Sequence, residues 1–186
     1  VPLRSVGAGP ARAMRDPVAS AGPSAKAIVH INAHATSTPV GDIAESNAIR
    51  LAFGDEADHM PVSATKSMTG HLLGAAGALE TILSVLAIHH RLAPATINLD
   101  DFDPAISLAV VYGAHRKLPE GDIAPLNNSS GSGGHSVSSA IPSASITPRC
   151  PAQRSSRRSR HPPPRTTRHP PPGDRQRGPS ACSHPT

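Results

Sequence analysis

The sequence contains no tryptophan, and aromatic side chains make up only 2% of its 186 residues. Aromatic side chains bury large apolar areas, so their scarcity limits the core that this chain is able to form by itself. Only two cysteines occur, Cys150 and Cys182, and both lie near the C-terminal end. Two such cysteines indicate neither a disulfide framework nor a cysteine-based metal centre, so no metal site is expected.

Long hydrophobic runs are missing as well. The apolar stretch that follows His71 is interrupted by Gly74, Gly77 and Glu80, and it is too broken to span a membrane. The first residues also lack the apolar core of a signal peptide. We therefore expect a cytoplasmic protein without a membrane partner.

Charge is distributed unevenly along the chain. Residues 1–141 contain nine Lys and Arg residues against twelve Asp and Glu residues, a formal charge of −3. Residues 142–186 contain nine Arg residues, a single acid and eleven of the 21 prolines, a formal charge of +8. The basic balance therefore belongs to the C-terminal segment and says little about what the body of the chain binds.

The segment 142–186 has no hydrophobic periodicity, so we predict that it is disordered. One hypothesis makes it the basic arm of a non-catalytic interaction protein, which would bind RNA or a membrane surface. The segment lacks the aromatic residues that stack on bases, so no nucleic-acid partner is expected. The hypothesis that we favour is that this segment is a frame-shifted or readthrough end of a GC-rich gene, because Arg, Pro, Ser, Thr, His and Gly codons dominate such translations.

Strand-like and helix-like patterns alternate along the body and predict an α/β layered fold. Asp42 is the expected N-cap of the first helix, and the second helix is apolar nearly all round, which predicts burial on most sides. The predicted strands lie at 27–32, 61–64 and 106–113, the predicted helices at 43–53 and 70–90, and a predicted strand–turn–strand unit at 123–141.

The first 24 residues are rich in Gly, Ala and Pro. The stretch "ARAMRDPVASAG" has the composition of a helix, but Pro17 lies inside it. A proline in a helix interior removes a backbone hydrogen bond and clashes with the preceding turn, so we expect a break or a kink there.

Three polar residues follow the ends of two predicted strands. His34 comes just after the strand at 27–32, and Lys66 and His71 come after the strand at 61–64. Open α/β sheets build their sites at the carboxyl ends of strands. Two imidazoles can donate hydrogen bonds to an oxyanion, and a lysine nearby adds positive potential. This set suits chemistry in which a carbonyl oxygen becomes negative, such as thioester or enolate chemistry.

The stretches "NAHATSTPVGDIAESNAI", "SATKSMTGHLLGAAGALE" and "PATINLDDFDP" resemble the β-ketoacyl-acyl-carrier-protein synthases, the elongating condensing enzymes of fatty acid and mycolic acid synthesis. The segment 127–135 resembles the same family. The resemblance implies the C-terminal half of a thiolase-like αβαβα layered fold at residues 25–141. Residues 1–24 would then be a remnant of the preceding helical region.

The resemblance also implies roles for individual residues. His34 and His71 match the two family histidines that polarise the malonyl thioester carbonyl while carbon dioxide leaves. Lys66 matches the lysine that supports them, and Glu80 matches a glutamate expected to partner that lysine.

Further expectations concern substrates and partners. Thr36 and Thr38 match threonines that line the pantetheine channel, and Asn128 matches a supporting position. The implied partners are an acyl carrier protein, malonyl and acyl thioesters, and a second subunit of a homodimer. The substrates are carried on phosphopantetheine, so no further cofactor is expected.

Two of the departures from the family bear directly on its chemistry. The family's nucleophilic cysteine belongs to an N-terminal half that has no match here, so this fragment is expected to be inactive alone. Ser130 and Ser132 stand where the family carries phenylalanines, the first of which gates the acyl pocket. A polyketide ketosynthase half-domain is an alternative, although "HATSTP" and "KSMTGH" favour the fatty acid type.

Overall fold

The computed structural model describes residues 3–21, 25–131 and 135–143, which all lie within one compact unit spanning Val1–Arg149. The prediction of disorder for 142–186 therefore falls, apart from its first two residues, outside the described residues.

A four-stranded sheet forms the centre of this unit. Its strand order is β2-β1-β5-β6, with β1 parallel to β2 and β5 and with β6 antiparallel to β5. A separate antiparallel pair joins β3 to β4. The strands predicted at 27–32 and 61–64 and the pair within 123–141 are confirmed. In the part of the chain that the structure describes, the strands are β1 (Ile28–Asn32), β2 (Val62–Ser63), β3 (Leu92–Ala93), β4 (Arg116–Lys117), β5 (Ala124–Gly131) and β6 (His135–Ala140).

The strand predicted at 106–113 is wrong as a continuous strand. It forms only two isolated bridges, in which Val110 pairs with Val62 and Tyr112 pairs with Thr96. The physical reason is the length of the neighbouring strand. Because β2 has only two residues, few backbone groups are available to continue a ladder along that edge.

Helices cover both faces of the sheet. Successive residues of a strand point to opposite faces. Ile31 joins a hydrophobic core with side chains of α1 and α2, whereas the neighbouring Asn32 donates a hydrogen bond to the carbonyl of Glu80 on α4. The unit is therefore a three-layer stack with the sheet in the middle. The helices are α1 (Leu3–Ala21), α2 (Pro39–Phe53), α3 (Lys66–Thr69) and α4 (Ala76–His89).

The expected break at Pro17 does not occur, because α1 continues through both Pro10 and Pro17. Its buried positions are spaced by three and four residues, so they form one face. That face packs against α2 and the sheet, and tertiary packing offsets the two lost backbone hydrogen bonds. The buried positions are Gly7, Ala11, Met14 and Val18.

Both of the other predicted helices differ in detail from the structure. The first begins at Pro39 with Thr38 as its N-cap, so the prediction of Asp42 as the cap is wrong. Proline is favoured at the first helical position because its φ angle is already helical. The helix predicted at 70–90 begins only at Ala76, after α3 and a 3₁₀ turn, and its outer face is exposed rather than buried.

No helix among the described residues is long and apolar enough to cross a membrane.

A buried histidine predicts how stability depends on pH. His30 is 1% exposed, and burial lowers its pKa from 6.5 to about 4. Its Nε2 lies 2.9 Å from Ser63 Oγ, which itself donates to the carbonyl of Pro94. The neutral ring is therefore the form that the folded chain retains.

As the pH falls below 6.5, His30 becomes protonated in the unfolded chain but stays neutral in the folded chain. We expect the free energy of unfolding to fall by about 3 kcal/mol between pH 6.5 and 4 from this residue alone. Urea titrations across that range test it, since His30→Gln should have a shallower pH slope. His90→Gln, at an exposed site, is the control, and equal slopes for both variants would contradict the prediction.

Candidate active site

His34 and His71 lie together at the carboxyl ends of β1 and β2. His34 follows β1 by two residues, and His71 lies in the loop after α3. Their ring centroids are 5.5 Å apart, and the rings are nearly perpendicular at 87°. The structure therefore brings together two side chains that are separated by 37 positions in the sequence.

The backbone at His34 is held by a carboxylate on α2. Glu45 accepts hydrogen bonds from the backbone N–H groups of His34 and Ala35, each at 2.9 Å. Asn128 on β5 donates from Nδ2 to the same carboxylate at 3.2 Å. Glu45 therefore sets the position of the histidine loop. Sequence reasoning missed it, because nothing in the spacing distinguishes it from Asp42, the other acid of α2.

Both histidine loops contain residues in the left-handed region of backbone conformation. Ala35 has φ 29° and Ser37 has φ 60°, and Leu73, two residues after His71, has φ 50°. Residues other than glycine rarely adopt these backbone angles, because the side chain then clashes with the backbone. Such a strained conformation persists only where surrounding contacts hold it in place. Beside His34, the two hydrogen bonds from the backbone to the Glu45 carboxylate hold the loop in this conformation.

The electrostatic surroundings keep His34 neutral. Burial, with smaller contributions from the neighbouring Lys66 and His71, lowers its pKa from 6.5 to about 4. Its Nδ1 is buried and has no hydrogen-bond partner among the described residues. At neutral pH the ring therefore carries one N–H, which is able to donate to a ligand.

A backbone contact assigns the tautomer of His71. The N–H of Leu73 donates to Nδ1 of His71 at 3.1 Å, so that nitrogen is an acceptor and carries no proton. In the neutral ring the proton is then on Nε2. His71 is exposed, so this N–H is open to a ligand.

Lys66 and Glu80 form a buried ion pair between Nζ and Oε1. Lys66 is 8% exposed and Glu80 is 1% exposed, so each charge depends on the other. A polar chain continues from the pair to the sheet. Thr65 donates to Oδ1 of Asn32, and Asn32 donates to the backbone carbonyl of Glu80.

Two cavities lie beside the histidine loops and share wall residues, among them Ala35 and Thr36. The larger, of about 610 Å³, is lined by Lys66 and His71, and the smaller, of about 240 Å³, is lined by His34. Thr36 lines both cavities and Thr38 lines the larger, and their hydroxyl oxygens are 3.5 Å apart. The predicted threonines and histidines therefore border two adjacent cavities.

Asn128 and the serines of the β5–β6 hairpin form the wall of the smaller cavity. Asn128 accepts a hydrogen bond from Ser138 Oγ at 2.8 Å, and its Nδ2 lies 3.5 Å from the sulfur of Met14. Its amide orientation is therefore determined. Ser130 is exposed on β5, whereas Ser132 lies outside the described residues.

Asp42 is a second acid that sequence reasoning assigned only to a helix cap. It lines both cavities, and burial raises its pKa, although backbone groups of residues 36–38 and the charge of Lys66 oppose that change. Among the described residues, no group of three or more His, Cys, Asp or Glu side chains is arranged to hold a metal ion. Taken together, the site offers two neutral N–H donors beside a compensated lysine, which suits the stabilisation of a developing oxyanion.

Comparison with known proteins gives one family. Residues 3–100 match the family described as "Beta-ketoacyl synthase, C-terminal domain". The chain is 47% identical over 121 residues to the 3-oxoacyl-[acyl-carrier-protein] synthase 2 of Coxiella burnetii, covering 65% of this chain and 29% of that protein. It is 45% identical over 135 residues to the protein of that name from Synechocystis sp., covering 73% and 32%. The chain thus spans about 30% of the length of these relatives.

Solved structures agree. A β-ketoacyl synthase from Burkholderia phymatum superposes with a TM-score of 0.63 at 38% identity, over 69% of this chain and 30% of that one. A ketosynthase solved in complex with its type II polyketide acyl-carrier protein gives 0.65 at 36% identity, over 71% and 33%. These likenesses confirm the predicted α/β, thiolase-like fold.

The buried ion pair predicts a large difference between two glutamates. Glu80→Gln leaves the buried Lys66 charge without compensation, so we expect a loss of about 3–5 kcal/mol in the free energy of unfolding. Glu120→Gln is the matched control, because Glu120 is paired with Arg91 at 3.8 Å but its side chain is 89% exposed. It should cost less than about 1 kcal/mol. Chemical denaturation measures both variants, and equal losses would contradict the prediction.

Proposed function

Since the chain belongs to the β-ketoacyl synthase family through its C-terminal domain, we propose that it carries the malonyl-activating part of a 3-oxoacyl-acyl-carrier-protein synthase site. The reaction is the decarboxylative Claisen condensation of an acyl thioester with a malonyl thioester in fatty acid synthesis. One observation supports this most strongly. The rings of His34 and His71 converge at 5.5 Å beside the buried charge of Lys66.

In the proposed step, the bond between the malonyl carboxylate and C2 breaks and carbon dioxide leaves. The electron pair moves onto the thioester carbonyl oxygen, giving an enolate. The N–H groups of His34 and His71 donate to that oxygen while its negative charge develops. Lys66 adds positive potential nearby, and its pairing with Glu80 lets that charge remain in a buried position.

The enolate carbon then attacks the carbonyl of the acyl thioester, and the thiolate of that thioester leaves. In the family the acyl group is held on a cysteine, and no cysteine lies among the described residues. We therefore propose that the complete condensation needs a cysteine nucleophile supplied by the part of the relatives' length that this chain does not span. Decarboxylation is the step assigned to this chain's own residues.

Neutral histidines are essential to this assignment. A neutral ring donates one N–H hydrogen bond and is a much weaker acid than an imidazolium, so the enolate accepts the hydrogen bond without being protonated. The pKa of about 4 for His34 supports its neutrality at physiological pH. The contact between Leu73 N–H and Nδ1 of His71 supports a proton on the exposed Nε2 of that ring.

The proposed substrates are malonyl and acyl groups carried on the phosphopantetheine of an acyl carrier protein, with no other cofactor. The larger cavity, with Thr36 and Thr38 in its wall, is the proposed route for that arm. The solved complex of a related ketosynthase with its acyl-carrier protein supports this partner. Assembly of the complete synthase as a homodimer is proposed from the family resemblance.

A polyketide ketosynthase is the second candidate. The ketosynthase solved with its type II polyketide carrier protein shares the fold at 36% identity. Identity to the 3-oxoacyl synthases is higher, at 45–47%, which favours the fatty acid reaction. Comparing turnover with malonyl groups on fatty acid and polyketide carrier proteins separates the two.

Carbon dioxide release from malonyl-acyl-carrier protein tests the proposal. The chain is assayed alone and with the remaining part of the Synechocystis relative added, because it spans about a third of that protein. We expect His34→Ala and His71→Ala each to reduce the rate by about 10²–10³-fold, the loss typical of an oxyanion donor.

His90→Ala is the matched control, because His90 is an exposed histidine just beyond the other end of α4. It should leave the rate unchanged. Retention of the full rate in both site variants, or no carbon dioxide release by the folded chain under either condition, would overturn the assignment.

A further inference from the structure

Gly41 leaves room for a hydroxyl group between the two cavities. It lies in the first turn of α2, and a Cβ built at its position would overlap Oγ1 of Thr38. The next nearest atoms, Cβ of Thr38 and Oγ1 of Thr36, are 3.7 Å and 3.9 Å from that position, which are ordinary van der Waals distances. An alanine at position 41 would therefore displace one group, the Thr38 hydroxyl.

The Thr38 hydroxyl is not used to cap the helix. Thr38 is the N-cap of α2, a position at which a threonine side chain usually accepts a hydrogen bond from the backbone of the first turn. Within the described part of the chain its side chain makes no such bond, and its Oγ1 lies 3.5 Å from Oγ1 of Thr36 instead. The two hydroxyls therefore form a pair in the wall of the larger cavity, which both threonines line.

A pair of hydroxyls suits an amide ligand. Each hydroxyl donates one hydrogen bond and accepts others, so two adjacent hydroxyls are able to bind the C=O and the N–H of an amide. The phosphopantetheine arm proposed for this cavity contains amide groups. Because side chains occupy discrete staggered rotamers, displacement of the Thr38 hydroxyl means rotation to another rotamer, which separates it from Thr36.

We propose that Gly41 is a positioning residue for the substrate arm. Its missing side chain keeps the Thr38 hydroxyl beside that of Thr36, and the pair binds an amide of the phosphopantetheine. Glycine is the residue that permits such a close approach. The inference rests on the proposed function, because it takes the phosphopantetheine arm as the ligand.

Gly41→Ala separates this role from a structural one. Gly41 lies within α2 and its φ is not positive, so alanine fits the backbone and should leave the helix at least as stable. Gly9→Ala is the matched control, because Gly9 is an exposed helical glycine of α1. Apart from the backbone of its own helix, no described atom lies within 4 Å of a Cβ built there.

Titration of the full chain with pantetheine, followed by NMR, tests the proposal. We expect Gly41→Ala and Thr38→Ala each to raise the dissociation constant by about three- to tenfold, the effect of losing about one hydrogen bond. Gly9→Ala should leave the constant unchanged. Scalar couplings that report the χ1 angle should show a changed rotamer of Thr38 in Gly41→Ala, and urea titration should show no loss of stability.

The double variant Thr38→Ala/Gly41→Ala separates an effect through the hydroxyl from a filling of the smaller cavity, which Gly41 also lines. If Gly41 acts through Thr38, the double variant should bind pantetheine as weakly as either single variant and no more weakly. Two effects that multiply would overturn the inference. An unchanged dissociation constant in Gly41→Ala, or no binding of pantetheine to the folded parent chain, would overturn it equally.

These results are read separately from the test of the proposed function, in which carbon dioxide release depends on His34 and His71. If release depends on both histidines but Gly41→Ala binds pantetheine normally, this inference alone is wrong. If the variants bind pantetheine as expected but the folded chain releases no carbon dioxide, the proposed function alone is wrong.

Discussion

The buried ion pair between Lys66 and Glu80 is the constraint on which the arrangement of the candidate site depends. Two charges out of water are stable only when each is held beside the other. Lys66 opens α3 just after β2, and Glu80 lies on α4 beneath the sheet, so the pair fixes α4 against the carboxyl ends of the strands. The chain between the two residues includes His71. That histidine is therefore held over the sheet by a contact in which it takes no part itself.

A second carboxylate positions the other histidine from the opposite face of the sheet. Glu45 on α2 binds the backbone of the loop that carries His34, and Asn128 connects it to β5. The site is thus assembled across two layers, with one histidine positioned from each side. The strained angles at Ala35 and Leu73 accompany this arrangement, because each loop turns sharply to bring its histidine toward the other. Rigid supports of this kind allow two neutral N–H donors to be oriented in advance of the reaction.

The two faces of α4 differ in polarity. Its inner face holds a polar network, with Glu80 paired to Lys66 and Thr81 bonded to Asn127, whereas its outer face is apolar and uncharged. Because only a few polar side chains form the inner network, the helix is apolar around most of its circumference. Its composition alone therefore predicts that every side is buried. The placement of a single glutamate distinguishes the two faces, because it directs one side toward the lysine while the other side stays exposed.

The sequence by itself determined the positions of β1, β2 and the β5–β6 pair, the α/β class and the motifs that relate this chain to the β-ketoacyl synthases, because hydrophobic periodicity and long motifs are local properties. It also singled out His34, Lys66 and His71, since each follows a predicted strand. Only the tertiary structure decided that α1 continues unbroken through Pro17, since packing of its buried face outweighs the tendency of proline to break a helix. The same holds for the short pairing of residues 106–113, which depends on the length of a neighbouring strand, and for Glu45. Its role depends on a loop eleven residues earlier in the chain that only folding brings within hydrogen-bond distance of its carboxylate.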